Sequence, residues 1–169
     1  MRGRTSGSLL LFALSICAFP AQAAVSLGTM DTFDGGFVQG WVTGSNSPNP
    51  LVGVAGGGPE GGADGYLLIT SNGSPGPGGR LVAFPGSQWL GDYVTTGVTA
   101  IKMQANNLGA SDLALRLSFV DASFSSAFTS QAVALPSGSG WSAITFDVRP
   151  TALTGSASVL GAVTEIRLY

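Results

Sequence analysis

Hydrophobic and polar residues alternate along much of the chain after residue 24, which is the pattern of strands with one buried face. The alternation is clearest in Asp112–Asp121, where every second residue is Leu or Phe. We predict long strands at Asp112–Asp121, Ala100–Asn106, Trp141–Val148 and Val163–Tyr169, and shorter ones at Tyr66–Thr70, Arg80–Phe84 and Phe128–Leu135. Helical spacing of apolar residues is nearly absent, so the pattern predicts an all-β chain.

Glycine, proline and asparagine separate these segments and predict the turns between them. Asn106–Gly109 and Pro136–Gly140 are expected to join strands, the first because asparagine tolerates left-handed backbone conformations. Asn46–Gly62 and Ser71–Gly79 are rich in glycine and proline and are expected to be loops. Roughly seven to nine short strands, with turns this frequent, are typical of a β-sandwich.

The N-terminus has the features of a cleavable export signal. Two arginines precede a short apolar run, Leu9–Phe19, and the small residues of Ala21–Ala23 form a cleavage motif. A membrane anchor is the alternative, but a spanning helix needs about 20 apolar residues. We therefore predict a signal peptide over residues 1–23, followed by a single domain over residues 24–169. The mature chain is expected in the periplasm, at the cell surface or outside the cell, with no membrane span.

Charge and composition exclude several functions. Cleavage would remove Cys17, which is the only cysteine, together with Arg2 and Arg4, leaving five basic residues against nine acidic ones and changing the formal net charge from −2 to −4. Nucleic-acid binding requires clustered cations, so no nucleic-acid partner is expected. The chain has no histidine, which excludes Ser-His-Asp and Cys-His catalysis and the usual zinc and copper sites.

We expect the protein not to be an enzyme. The sequence contains neither the Gly-x-Ser-x-Gly motif of hydrolases nor a phosphate-binding loop that ends in Gly-Lys-Ser/Thr. Two carboxylates at a suitable separation are enough for a glycosidase, and nine acidic residues leave that alternative open. A polysaccharide hydrolase therefore remains a distant alternative.

Several segments resemble known families. Thr32–Gly36 followed by Gly40–Trp41 resembles the opening of jelly-roll domains with the galactose-binding-like fold, which many carbohydrate-binding modules have. Phe84–Val98 and the strand Thr99–Met103 resemble both the laminin IV domain and a group of exported bacterial proteins with a PEP-CTERM sorting signal. The second resemblance covers most of the mature chain and includes Gly138–Trp141, but the sorting tail of that group is absent from this sequence. The resemblance implies an antiparallel jelly-roll β-sandwich, here expected to lack a final strand.

The same resemblance implies a structural calcium ion. Jelly-roll modules often hold one near their first and last strands, and Asp34 is the matching carboxylate, with Asp31 or Asp64 as helpers. Calcium takes carboxylate and carbonyl oxygens in irregular loops, where all three residues are expected. The alternative is that each aspartate only stabilises a turn through local hydrogen bonds.

A mixed polar and aromatic loop is the candidate ligand site. Trp89 and Tyr93 lie between glycines beside Gln88 and Asp92, and sugars stack their apolar faces on such rings. The expected function is non-catalytic binding of extracellular polysaccharide or cell-surface glycan. The alternative is a structural protein of the cell surface or matrix without a defined small ligand. The remaining tryptophans are expected to fill the core: Trp41 and Trp141.

Overall fold

The structure is a computed structural model that describes residues 24–44, 47–71, 73 and 80–169. The predicted signal peptide lies outside the described residues, as do parts of the two predicted glycine-rich loops. In the described residues, regular structure is mostly β, with ten strands, one four-residue α-helix, α1 (Tyr93–Thr96), and four short 3-10 helices. The strands are β1 (Val52–Val54), β2 (Tyr66–Leu68), β3 (Ala100–Ala105), β4 (Leu113–Leu115), β5 (Leu117–Asp121), β6 (Ser126–Thr129), β7 (Val133–Leu135), β8 (Ser142–Asp147), β9 (Leu153–Gly155) and β10 (Val163–Leu168). The predicted all-β class is confirmed.

Residues 100–147 form a series of nested antiparallel pairs. β3 pairs with β8, so that Ala100 lies opposite Asp147. Inside this pair β4 pairs with β7, and innermost β5 pairs with β6 around a tight turn. Each strand of the segment therefore has a partner within the same segment, and the two halves of a long hairpin run side by side.

A four-stranded antiparallel sheet is built on the innermost pair, in the order β10-β5-β6-β9. Beyond β10, the predicted strand Arg80–Phe84 contributes only two isolated bridges, from Ala83 to Leu168 and from Phe84 to Val42. β1 and β2 form a separate two-stranded antiparallel sheet.

The predicted strand Asp112–Asp121 is divided into β4 and β5 at Arg116. At this point the Arg116 side chain donates hydrogen bonds to the carbonyls of Thr129 and Ser130. The Leu117 N–H donates to the Thr129 hydroxyl, at 3.2 Å, instead of to a strand carbonyl. The opposing predicted strand, Phe128–Leu135, is likewise divided into β6 and β7. At this irregularity, side-chain hydrogen bonds replace the backbone hydrogen bonds between the two opposing segments.

The buried faces follow the predicted alternation. Leu115, Leu117 and Phe119 are buried on β4 and β5, while the residues between them are partly exposed. The four-stranded sheet and the β3–β8 pair contribute to one hydrophobic core, and its most deeply buried large side chains are Tyr93, Phe119, Phe146, Leu160, Val148 and Val159. The single domain over residues 24–169 stays a prediction.

A buried asparagine joins the two loops at the end of the β4–β7 pair. Asn107 is 4% exposed, and its amide donates to the carbonyls of Ser111 (2.8 Å) and Leu135 (3.0 Å). Its side-chain oxygen accepts from the N–H of Gly109, at 3.0 Å. Neither Asn106 nor Asn107 has a positive φ, so the left-handed conformation that we expected at this turn is not used. The turn is instead fixed by a side chain that replaces backbone partners.

We predict that Asn107→Ala lowers the free energy of unfolding by about 2–3 kcal/mol, because a buried carbonyl loses its donor along with two further hydrogen bonds. Urea unfolding followed by circular dichroism would measure the change. Asn106→Ala is the matched control and should stay within about 0.5 kcal/mol of the wild type, as expected of a residue outside such a network. Equal stabilities of the two variants would contradict this role for Asn107.

Candidate functional site

The carboxylate of Asp31 lies between two tryptophan side chains. Oδ2 accepts hydrogen bonds from the indole Nε1 of Trp41 and from that of Trp89, each at 2.6 Å. The amide of Gln88 donates to both carboxylate oxygens, at 2.9 Å to Oδ1 and 3.2 Å to Oδ2. We call these four residues the Asp31 cluster. All four are half-buried, so the cluster lies where the core meets the surface.

A tight turn places Trp41 against Asp31. The Trp41 N–H donates to the Val38 carbonyl at 2.9 Å, and the two residues between them, Gln39 and Gly40, have φ of 48° and 82°. Two consecutive left-handed residues are the requirement of a type I′ turn, which reverses the chain within two residues. The Phe33 ring meets the Trp41 ring edge-on, with 6.1 Å between centroids. The turn therefore orients Trp41 through its backbone, and Phe33 contacts the ring.

Close backbone packing brings the Gln88–Trp89 segment to this turn. A Cβ at Gly86 would lie 3.0 Å from the Gln39 carbonyl oxygen and 2.3 Å from Oε1 of Gln88, so a larger residue would displace the Gln88 amide. The Gln88 amide also donates to the Gln39 carbonyl at 3.1 Å, and the Gln39 side chain accepts from the Phe33 N–H at 2.9 Å. Gln88 therefore connects Asp31 with the turn that positions Trp41.

Tyr93 is placed in the core rather than at the surface. It is 1% exposed, its ring meets Phe119 edge-on at 5.6 Å between centroids, and its hydroxyl donates to the Trp89 carbonyl at 2.7 Å. Burial raises the pKa of the Tyr93 hydroxyl, so it stays a neutral donor. Tyr93 thus supports the backbone of Trp89 from beneath, and the structure leaves no face of its ring for a ligand.

Asp92 begins the short helix α1. Its carboxylate accepts from the Thr95 hydroxyl at 2.6 Å and from the Thr95 N–H at 2.8 Å, as an N-cap residue does. These hydrogen bonds hold the pKa of the Asp92 carboxyl below its usual range. Of the four residues predicted to bind a ligand, the structure brings Gln88 and Trp89 together and gives Asp92 and Tyr93 hydrogen bonds within the protein.

The other two predicted carboxylates of the calcium site do not join Asp31 through a direct contact. Asp34 is exposed, whereas Asp64 accepts from the Glu60 N–H at 2.9 Å within its own turn. The chain after Asp64 does approach Asp34, since a Cβ at Gly65 would lie 2.3 Å from the Phe33 carbonyl oxygen and 3.0 Å from the Asp34 nitrogen. Among the described residues, no group of three or more acidic, histidine or cysteine side chains has an arrangement suited to a metal ion.

The tryptophans expected in the core are only half-buried. Trp41 packs against the core but belongs to the Asp31 cluster, a role that the sequence did not reveal. Trp141 donates to the Gly57 carbonyl at 3.1 Å and meets Tyr66 edge-on, with 5.5 Å between centroids. The Gln39–Gly40 pair between two apolar residues was the one sequence signal of the turn that brings Trp41 to Asp31.

The donors of the Asp31 cluster all point at one carboxylate of the protein, which fixes the orientation of the two indole rings.

No family model, curated protein or solved structure matches the chain. In the part of the chain that is described, none of the helices has the length and apolar character needed to cross a membrane.

We predict that Asp31→Asn lowers the free energy of unfolding by about 2 kcal/mol, since an amide replaces one acceptor oxygen and leaves half-buried donors without a charged partner. Chemical unfolding at neutral pH in the presence of chelator would measure it, with tryptophan fluorescence as the signal. The exposed Asp34 provides the control: Asp34→Asn should be nearly neutral under the same conditions. An Asp31→Asn protein as stable as the wild type would show that the cluster contributes little to the fold.

Proposed function

We propose that residues 24–169 are an exported jelly-roll β-sandwich module that binds extracellular polysaccharide or cell-surface glycan without catalysing a reaction. The observation behind the proposal is the pair of half-buried indole rings, Trp41 and Trp89, that share one carboxylate oxygen of Asp31. Rings already held in place lose little conformational freedom on binding, so more of the stacking energy appears as affinity.

The nested pairing of strands supports the jelly-roll part of the proposal. A jelly roll is a long antiparallel hairpin folded into two sheets, and residues 100–147 pair in that nested order. The shared core of the β3–β8 pair and the four-stranded sheet is what two facing sheets require.

The position of Val25 supports the proposed cleavage before Ala24. Val25 is 5% exposed and belongs to the core, and its N–H donates to the Leu90 carbonyl at 2.7 Å. Ala24 is exposed. A new N-terminus at Ala24 would therefore leave the charged amino group in solvent and the first apolar side chain in the core.

The alternative, a structural protein of the cell surface or matrix without a defined small ligand, is supported by the same Asp31 cluster. Both Asp31 oxygens already accept hydrogen bonds from the protein, and Trp41 and Trp89 pack against the core. A cell-surface or matrix protein could use the cluster only to fasten its N-terminal segment to the sheet. A hydrolase would need two carboxylates facing a substrate, and the hydrogen bonds to Asp31 favour a positioning role for this residue over a catalytic one.

Binding would be tested on immobilised and soluble polysaccharides with the Trp89→Ala variant. We predict a loss of affinity of about tenfold or more, since removing a central aromatic contact typically costs about 2 kcal/mol. Calorimetry or affinity electrophoresis would report the change, and circular dichroism would verify that the variant is folded.

Trp141→Ala is the matched control, because Trp141 is also half-buried but lies outside the Asp31 cluster. It should bind glycan as the wild type does. Unchanged binding by Trp89→Ala would remove the proposed site. A wild-type protein that binds no polysaccharide in a broad panel would favour the structural alternative.

Calcium remains part of the proposal, with Asp34 as the central carboxylate and Asp31 or Asp64 as helpers. An ion that binds only the folded protein stabilises it by about 2.7 kcal/mol at a hundredfold excess over its dissociation constant. We therefore predict a higher melting temperature in calcium than in chelator, and loss of this difference in Asp34→Asn. Identical melting curves in calcium and in chelator would argue against the ion.

A further inference from the structure

A concave surface lies at the tip of the β5–β6 hairpin, next to β10. It is a half-open groove of about 260 Å³, and its walls are formed by both apolar and charged side chains. This volume is below the range of about 300–1,000 Å³ that holds drug-sized ligands, so it suits one small ring. We call it the tip groove; its lining residues are Val120, Asp121, Phe124, Thr164, Glu165 and Arg167, with Ala122.

Phe124 is the unusual member of the tip groove. Its side chain is 88% exposed, although an aromatic ring gains much from burial. Its φ is 63°, in the left-handed region that a bulky residue seldom occupies. Folding alone therefore gives no reason for phenylalanine at this position, where glycine or asparagine would be less strained.

The loop that holds Phe124 is fixed in place. The Asp121 carboxylate accepts from the Ser123 hydroxyl at 2.7 Å, the Ser123 N–H at 2.9 Å and the Ser125 N–H at 3.0 Å. The Phe124 N–H donates to the Asp121 carbonyl, also at 3.0 Å. The exposed ring is thus presented by an ordered turn, as a pre-organised contact would be.

The polar wall of the groove indicates the charge of a ligand. Arg167 Nε donates to Glu165 Oε1 at 2.5 Å, and the guanidinium also lies 5.7 Å from the centre of the Phe84 ring. No described residue accepts a hydrogen bond from the Nη atoms of Arg167. The lining holds two carboxylates, Asp121 and Glu165, and one guanidinium, Arg167, so the groove has no excess positive charge for an anion. These groups offer both acceptors and donors for the hydroxyl groups of a sugar.

We propose that the tip groove binds one neutral pyranose unit of a glycan, with Phe124 stacked on the apolar face of the sugar and Glu165 and Arg167 bonded to its hydroxyls. This site is separate from the Asp31 cluster, and it rests on the proposed function only in taking the same class of ligand.

The test is a nuclear magnetic resonance titration of the full protein with methyl glycosides of glucose, galactose, mannose and N-acetylglucosamine at millimolar concentrations. We expect at least one of them to shift the resonances of residues 122–125 and 164–167. Phe124→Gly should weaken this binding about tenfold or more, while its melting temperature equals or exceeds that of the wild type, because glycine adopts the positive φ without strain.

Two further variants separate the possible outcomes. Phe37→Ala removes another exposed phenylalanine and should leave the binding unchanged, whereas Glu165→Gln should weaken it. Wild-type affinity in Phe124→Gly, or polysaccharide binding at the Asp31 cluster with no pyranose in the groove, would overturn this inference and leave the proposed function intact. Self-association through Phe124, without any sugar-induced shift in the groove, would also overturn it. If glycan bound at neither the Asp31 cluster nor the tip groove, both proposals would be contradicted.

Discussion

The hydrogen bonds to the Asp31 carboxylate connect parts of the chain that are far apart in sequence. Trp41 lies 10 residues from Asp31, whereas Gln88 and Trp89 lie 57 and 58 residues away. A half-buried carboxylate is costly unless its oxygens are satisfied, and indole N–H groups in the same region are costly without acceptors. Each partner therefore compensates the desolvation of the other. This mutual requirement fastens the N-terminal segment beside the sheet and fixes the planes of two aromatic rings.

The strand arrangement supplies a firm base for this cluster. Gly91 and Val163 exchange two backbone hydrogen bonds, each of 2.9 Å, which attach the segment after Trp89 to the first residue of β10. Val163 in turn lies opposite Asp121, at the end of β5 that leads into the Phe124 turn. The Asp31 cluster and the tip groove are consequently both connected to β10. The cluster is connected through the backbone hydrogen bonds of Gly91, and the groove through the β10 side chains that line it.

Local sequence patterns predicted where the strands lie better than they predicted which distant residues each strand or side chain contacts. The alternation in Ala100–Asn106 and Val163–Tyr169 was sufficient to predict β3 and β10, because burial of one face is a property of each segment alone. The division at Arg116 depends on carbonyls from the opposing strand, and no pattern within one segment contains that information. For the same reason Trp41 was expected in the core: large aromatic residues at strand ends are usually buried. Its partner Asp31 is revealed only once the turn at Gln39 is formed. The calcium and carbohydrate roles came from resemblance and remain proposals.

The most direct measurement of the central claim is a titration of the indole N–H resonances with soluble polysaccharides. The protein has three tryptophans, so each signal can be assigned by substitution. We predict that the Nε1–H resonances of Trp41 and Trp89 shift together as glycan is added, while that of Trp141 stays in place. Three resonances that remain unchanged with every polysaccharide, in a protein shown to be folded, would contradict a binding role for the Asp31 cluster.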